Sequence, residues 1–145
     1  MDIKIKYFKE DPILLKNIEQ GDWIDLPLQQ DMNLLGDPTK KIPLGIAMQL
    51  PKDYEAHVVP RGSTFRKFGL IQTNHMGVVD SSYNGPEDEW FWPVYILRNH
   101  PEINKIPRGT RVAQFRIIKK QPKITFTLSD LEANGNRGGD GSTGL

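Results

Sequence analysis

Asn74-His75-Met76-Gly77-Val78-Val79-Asp80-Ser81-Ser82-Tyr83-Asn84-Gly85 is the stretch whose reading decides the fold. Val78-Val79 is an apolar β-branched pair of the kind that favours strands. It runs straight into a carboxylate, two small hydroxyls, an aromatic ring and Asn84-Gly85, a dipeptide suited to the positive φ angles of a tight turn. The pattern predicts Asp80 at a strand end and Tyr83 a few residues away on the returning chain. Such a hairpin offers a flat ligand a backbone edge for hydrogen bonds, a ring to pack on and a base beside it. An ordinary hairpin with a turn aspartate has the same local pattern, so the surrounding chain must decide.

Outward from that stretch, short strands recur. Met1 to Phe8 alternates, with Ile3, Ile5 and Tyr7 on one side and Lys4 and Lys6 on the other, until Asp11-Pro12 breaks it. Gly21 to Leu26 is a short apolar segment carrying two carboxylates. Residues 27–41 are polar, with Gly36-Asp37-Pro38 as turn punctuation. Strands are expected at Ile42–Leu50, Tyr54–Val59, Leu70–Thr73, Glu89–Arg98, Arg111–Lys119 and Lys123–Leu128, the last alternating Ile124, Phe126 and Leu128. From Arg61 to Phe68 a turn or two of helix is expected before Gly69. Many short strands divided by Gly or Pro, without a long amphipathic helix, predict an all-β sandwich or barrel.

Composition narrows the function. The 145 residues suit one domain with a sizeable core, at 37% hydrophobic and 26% charged. Nineteen basic against eighteen acidic side chains leave a formal charge of +1, without the field of a general nucleic-acid binder. There is no cysteine for a disulfide or a thiolate metal site. No 18-residue apolar run exists, and the N-terminus is too charged for a signal peptide, so a cytoplasmic protein without membrane contact is expected. The β domain is expected over 1–133. Residues 134–145 hold five glycines and almost nothing to bury, and are expected to be a flexible arm. That arm also has amides that can approach a phosphate closely, two hydroxyls and Arg137.

The polar residues form a coherent inventory. Arg61 precedes a possible helix start, where amides and a guanidinium both favour an anion. Arg111 and Gln114 lie in a strand that otherwise reads as buried, so Gln114 is either a structural tie or a ligand contact. His57, His75 and His100 show no metal spacing, and no Gly-Lys-Ser/Thr follows the glycines as in a Walker loop.

Taken in order, these segments resemble the five motifs of the trimeric dUTP pyrophosphatases (dUTPases), of the type found in Bacillus and phages. Asp25-Leu26 matches the end of the first motif, Pro60-Arg61-Gly62-Ser63 the second, and Gly77 to Gly85 the third. Gly109-Thr110-Arg111-Val112-Ala113-Gln114 matches the fourth, and Arg137 to Gly144 the fifth. The resemblance implies a jelly-roll-like fold of the β-clip type, a homotrimer whose sites each draw on three subunits, and Mg²⁺-assisted hydrolysis of dUTP to dUMP and pyrophosphate. It implies Asp80 as the base for the attacking water, Tyr83 against deoxyribose, and Asn74 with backbone near Gly77 reading uracil. Arg61, the Gly62 amide, Ser63 and Gln114 would contact phosphates or their waters. Arg137, Ser142 and Thr143 would close over the β- and γ-phosphates, and Asp25 would order the metal's water shell. No protein side chain would ligate the metal directly.

The physical chemistry agrees. A positioned carboxylate base contributes roughly 10²–10⁴ in rate, and the larger task of offsetting triphosphate charge calls for arginines, amides and metal. Three departures stand out. Gly62 occupies the position after the arginine where the family usually has serine. Asp22-Trp23 stands where the first motif usually begins Ala-Gly. The fifth motif lacks the phenylalanine that lids uracil; in Glu89-Trp90-Phe91-Trp92-Pro93, Phe91 is the first candidate for that lid and Trp92 the second, with core packing the alternative for both. The rival readings are a dCTP deaminase, which shares the fold but resembles a third motif with a glutamate base, and a dUTPase-fold protein acting as a regulatory partner of a repressor, for which Pro86–Trp92 supplies extra surface.

Overall fold

The computed structural model describes residues 1–17, 19–97, 103–132, 135–139 and 144. The chain forms β1 (Lys4–Tyr7), β2 (Ile24–Pro27), β3 (Met32–Asn33), β4 (Thr39–Pro43), β5 (Ile46–Gln49) and β6 (Tyr54–Pro60). Helix α1 (Thr64–Phe68) follows, then β7 (Leu70–Gln72), β8 (Gly77–Val79), β9 (Phe91–Ile96), β10 (Lys105–Ile106) and β11 (Arg111–Lys119). Every pairing is antiparallel. One sheet has the order β2-β11-β6-β8 and another β4-β9-β7, with β1-β5 and β10-β3 as two-stranded pairs.

The ladder between β6 and β11 is the longest, running from Ala113–Pro60 to Lys119–Tyr54. Period-two alternation buries Ala56 and Val58 on β6. On β11 a register shift between Arg111 and Ala113 interrupts the alternation, and the adjacent Val112 and Ala113 are both buried. Those residues share one core with Ile42, Leu70, Trp92 and Val94 of the three-stranded sheet. Trp90 stands edge-on to Phe115, ring centroids 5.4 Å apart, so β9 and the residues before it supply the bulkiest filling.

Glycine ends α1 as its sequence suggests: Gly69 takes φ 67° and donates its N–H to the Phe65 carbonyl. The β10 end is tied to the chain just before β3 by Asp31, whose carboxyl is held below its usual pKa, chiefly by the Arg108 backbone N–H and then by Lys105.

Four expectations are revised. Ile42–Leu50 is not one strand: the chain turns at Gly45, φ 69°, and the halves join different sheets. Residues 27–41, read as polar loop, contain β3 and the start of β4, because antiparallel partners supply what local propensity lacks. Asn84-Gly85 does not make the left-handed hairpin turn. Gly85 avoids positive φ, its N–H is taken by Asp88, and the chain after Tyr83 crosses to β9 in the other sheet. Lys123–Leu128 forms no strand; Phe126 and Leu128 are fully exposed and Ile124 is half-exposed, with no partner edge among the described residues. The boundary expected between residues 133 and 134 lies outside the described residues.

Gly45 carries a tight constraint. A Cβ built there stands 2.7 Å from Gln29 Cγ, and buried Gln29 is itself fixed by two hydrogen bonds to the Ile13 backbone. Gly45→Ala is expected to lose about 2–3 kcal/mol, combining left-handed strain with overpacking. Urea unfolding measures this, and an unchanged midpoint would contradict it.

Candidate functional site

The predicted site residues before residue 115 fall in two clefts that share no lining residue. The first, about 320 Å³, takes Asn74, Gly77, Asp80, Tyr83 and Phe91, with Gln72, Trp92 and Lys41 among its other walls. The second, about 400 Å³, takes Asp25, Arg61, Gly62, Ser63 and Gln114, with Arg111 and Trp23 beside them.

The first cleft forms where the chain changes sheets. After β7, residues 73–76 turn across to β8, with His75 at φ 62° and the Met76 N–H bonded to the Asn74 carbonyl at 2.6 Å. This turn holds Asn74 at the cleft edge, and Gln72 Nε2 donates to Asn74 Oδ1 at 2.9 Å. A Cβ on Gly77 would lie 3.3 Å from the Val58 Cβ and 3.5 Å from Asn74 Nδ2, so glycine lets β8 approach Val58 and Asn74 closely here.

Asp80 follows directly after β8, as expected. Its carboxylate is exposed and has no hydrogen bond or ion pair among the described residues, while its backbone carbonyl accepts from the Tyr83 N–H. Tyr83 is anchored by its hydroxyl, which donates to the Glu89 carbonyl at 2.7 Å. Desolvation, then the charges of Asp88 and Glu89, raise its pKa, which keeps the phenol protonated as that donor.

The two aromatic candidates separate clearly. Phe91 is 38% exposed, with Lys41 Nζ 4.4 Å from its ring centre. Trp92 is fully buried, its indole N–H donating to Gln72 Oε1 at 2.7 Å. Alternation along β9 explains the difference, since neighbours on a strand face opposite ways. Other residues of the Pro86–Trp92 segment bind their own chain: Lys6 bonds the Pro86 carbonyl and Glu87, and the Gly45 N–H bonds Glu89.

In the second cleft Asp25 is the hub. Its Oδ1 pairs with Arg61 Nε and its Oδ2 with Arg111 Nη1, each at 2.9 Å. The β2–β11 register sets Asp25 opposite Gln114, whose amide donates to the Pro60 carbonyl at 3.3 Å. Arg61 begins the turn after β6, braced by its N–H to the Val112 carbonyl; Thr64 Oγ1 donates to the same carbonyl. Asp25 thus engages Arg61 at Nε, and both guanidinium-bearing residues line the cleft. Among the described residues no three His, Cys, Asp or Glu side chains converge as a metal cage.

Strand geometry keeps the clefts apart. Asp80 lies one residue beyond the Ala56–Val79 pair, whereas Arg61 extends from the opposite end of β6. Six residue rises at ~3.3 Å each put roughly 20 Å between those levels. Arg137 is exposed, and Ser142 and Thr143 lie outside the described residues. Sequence reasoning passed over Gln72, Arg111 as a partner of Asp25, and Lys41; the polar residue inside apolar Leu70–Thr73 was the signal for Gln72.

A Cβ at Gly62 would meet nothing within 4 Å, and its φ is not left-handed. Gly62→Ser is therefore expected to melt at the parent temperature or a few degrees above, because the unfolded chain loses freedom worth about 0.5–1 kcal/mol. Thermal denaturation tests this, and a clear drop would show a constraint on the 61–63 turn.

A family model described as dUTPase matches residues 19–144. The chain is 53% identical over 144 residues to the SPbeta prophage-derived deoxyuridine 5'-triphosphate nucleotidohydrolase of Bacillus subtilis, covering 99% of both proteins. Its structure resembles that of the Staphylococcus bacteriophage 80alpha dUTPase with dUPNHPP at TM-score 0.78 and 17% identity, covering 99% of both chains. It also resembles a dUTPase variant from phage phi11 of S. aureus, described with a coordinated structural Mg(II) ion. There the TM-score is 0.74 at 13% identity, over 91% of this chain and 99% of that one. At such identities the likeness is one of fold.

Proposed function

The chain belongs to the dUTPase family, and on that premise we propose that it hydrolyses dUTP to dUMP and pyrophosphate with Asp80 as general base. A water attacks the α-phosphorus and gives its proton to the Asp80 carboxylate. The bond from that phosphorus to the α,β-bridging oxygen breaks, and pyrophosphate leaves. The observation that carries the reading is the complementarity of the two clefts. One holds a carboxylate free to accept a proton, beside amide and aromatic surfaces for a nucleoside; the other holds guanidinium and amide donors for phosphate.

Asp80 and the phosphate donors around Arg61 must act on one triphosphate, and levels roughly 20 Å apart within one chain set them too far from each other for that. We therefore assign the active site to a homotrimer, with the Asp80 cleft of one subunit facing the Arg61 cleft of a second. A third subunit supplies the glycine-rich end with Arg137, Ser142 and Thr143. The bare Ile124, Phe126 and Leu128 support association, since such a run of apolar side chains favours cover by another chain.

Within that site Asn74 and the backbone at Gly77 read uracil, Tyr83 packs on deoxyribose and leaves no space for a 2′-hydroxyl, and Phe91 covers the base. Arg61, the Gly62 amide, Ser63 and Gln114 bind phosphate oxygens. The donor set suits Mg²⁺, which favours substrate phosphates and waters over an all-protein cage. Asp25 is placed to order its water shell, since each oxygen engaged by a guanidinium keeps a lone pair. When bound, the metal would supply neutralisation of the phosphate charge. No helix among the described residues is long and apolar enough to cross a membrane, and we place the enzyme in the cytoplasm with its nucleotide substrate.

The test is complementation. Asp80→Asn and Arg61→Ala are each expected to release little pyrophosphate from dUTP. Unfolded together in equal amounts and reassembled, they should recover about a quarter of wild-type activity, because random assembly leaves that fraction of sites with both residues intact. No recovery from well-folded mixed trimers would overturn the shared site. Phe91→Ala is expected to raise KM for dUTP by about tenfold, the loss of one packed ring; unchanged kinetics would remove Phe91 from the lid.

A further inference from the structure

We propose that Gln72 and Trp92 are positioning residues that fix which end of the Asn74 amide faces the cleft, and so make the site select uracil over cytosine. The inference rests on Asn74 as the residue that meets the base.

An amide side chain reads as donor or acceptor according to its orientation, and an exposed one turns freely. Asn74 is exposed, but the group behind it is not: Gln72 is 5% exposed and Trp92 is fully buried. An indole N–H is only a donor, so the atom of Gln72 that faces it at 2.7 Å must be Oε1. A backbone carbonyl is only an acceptor, so the atom facing the Val58 carbonyl at 2.9 Å must be Nε2. Two independent partners thus set Gln72 the same way. Reversing it would oppose N–H to N–H at Trp92 and oxygen to oxygen at Val58, both in the core, where polar mismatches are costly.

The second N–H of Gln72 then points at Asn74, 2.9 Å away, and requires an acceptor there. Asn74 presents Oδ1 to it, and Nδ2 is turned to the Gly77 side, 3.5 Å from where a Cβ on Gly77 would stand, and both residues line the cleft. A donor at this point complements the carbonyl at position 4 of uracil and opposes the amino group of cytosine. Base identity is thereby written from the core outward, through Trp92, Gln72 and Asn74. The relay also accounts for a glutamine in the apolar strand β7 and for a buried tryptophan beside the exposed Phe91.

Gln72→Glu tests the relay. A carboxylate still accepts from Trp92 but has no N–H for Asn74, and instead attracts Nδ2, which turns Oδ1 to the cleft. Because this variant places a charge in the core, Gln72→Met, of similar length and without polar atoms, is measured beside it. The readouts are kcat/KM for dUTP and dCTP, and affinities for dUMP and dCMP, on assembled enzyme whose melting and size are checked. The ratio of uracil to cytosine preference is expected to fall on the order of tenfold in Gln72→Met and further in Gln72→Glu, mainly through KM. An unchanged ratio in either folded variant overturns the inference. So does an equal loss of both bases, which marks Gln72 as purely structural. If wild type prefers dUMP to dCMP yet releases no pyrophosphate, the proposed hydrolysis fails, and the affinity ratio alone still judges the relay.

Discussion

Strand β6 is hydrogen-bonded along both edges, to β11 on one side and β8 on the other, and most of the molecule's arrangement depends on that double pairing. Because an extended chain rises by ~3.3 Å per residue and cannot shorten, what attaches at opposite ends of β6 stays apart. Arg61 continues from one end, and Asp80 emerges from β8 beside the other. The β11 register places Gln114 between Asp25 and Val59. A one-residue slip would turn Ala56 and Val58 out of the core and reverse every polar residue on the sheet. Packing of Phe115, Trp90 and Trp92 holds the register, so core and site geometry are parts of one constraint.

Polar groups in this fold are arranged around single hubs. Asp25 aims two guanidinium groups, and a lone arginine there would be a less defined anion contact. Gln72 joins a core indole, a backbone carbonyl and an exposed amide. Gln29 bonds both backbone groups of Ile13 and substitutes for a strand partner. In each case a partly or fully buried polar group has its valences met, and orientation of its neighbours follows from who can donate and who can accept.

Much of this was legible in residue order. The strand at Arg111–Lys119, the helical turn before Gly69, and Asp80 at the end of a Val-Val strand all follow from local preference and punctuation. The failures have a common cause. Lys123–Leu128 alternates as a strand should, but alternation does not supply a partner edge. Asn84-Gly85 has the composition of a tight turn, yet Asp88 captures its amide and the chain departs for another sheet. Conversely, β3 and β10 have too little local signal to be seen and exist because they pair with each other. Phe91 and Trp92 could not be told apart by type; strand phase against the core decides them.

The sequence by itself determined the β class, the order of the five motifs, and the chemical types available to them, because these depend on residue identity and short-range preference. Only the tertiary structure decided that the first four of those motifs line two clefts within a chain, that Trp92 belongs to the core, and that Gln72 stands behind Asn74. The physical reason is that such facts depend on pairing between residues distant in the chain. Register and burial there are set by all the partners together and not by any segment alone.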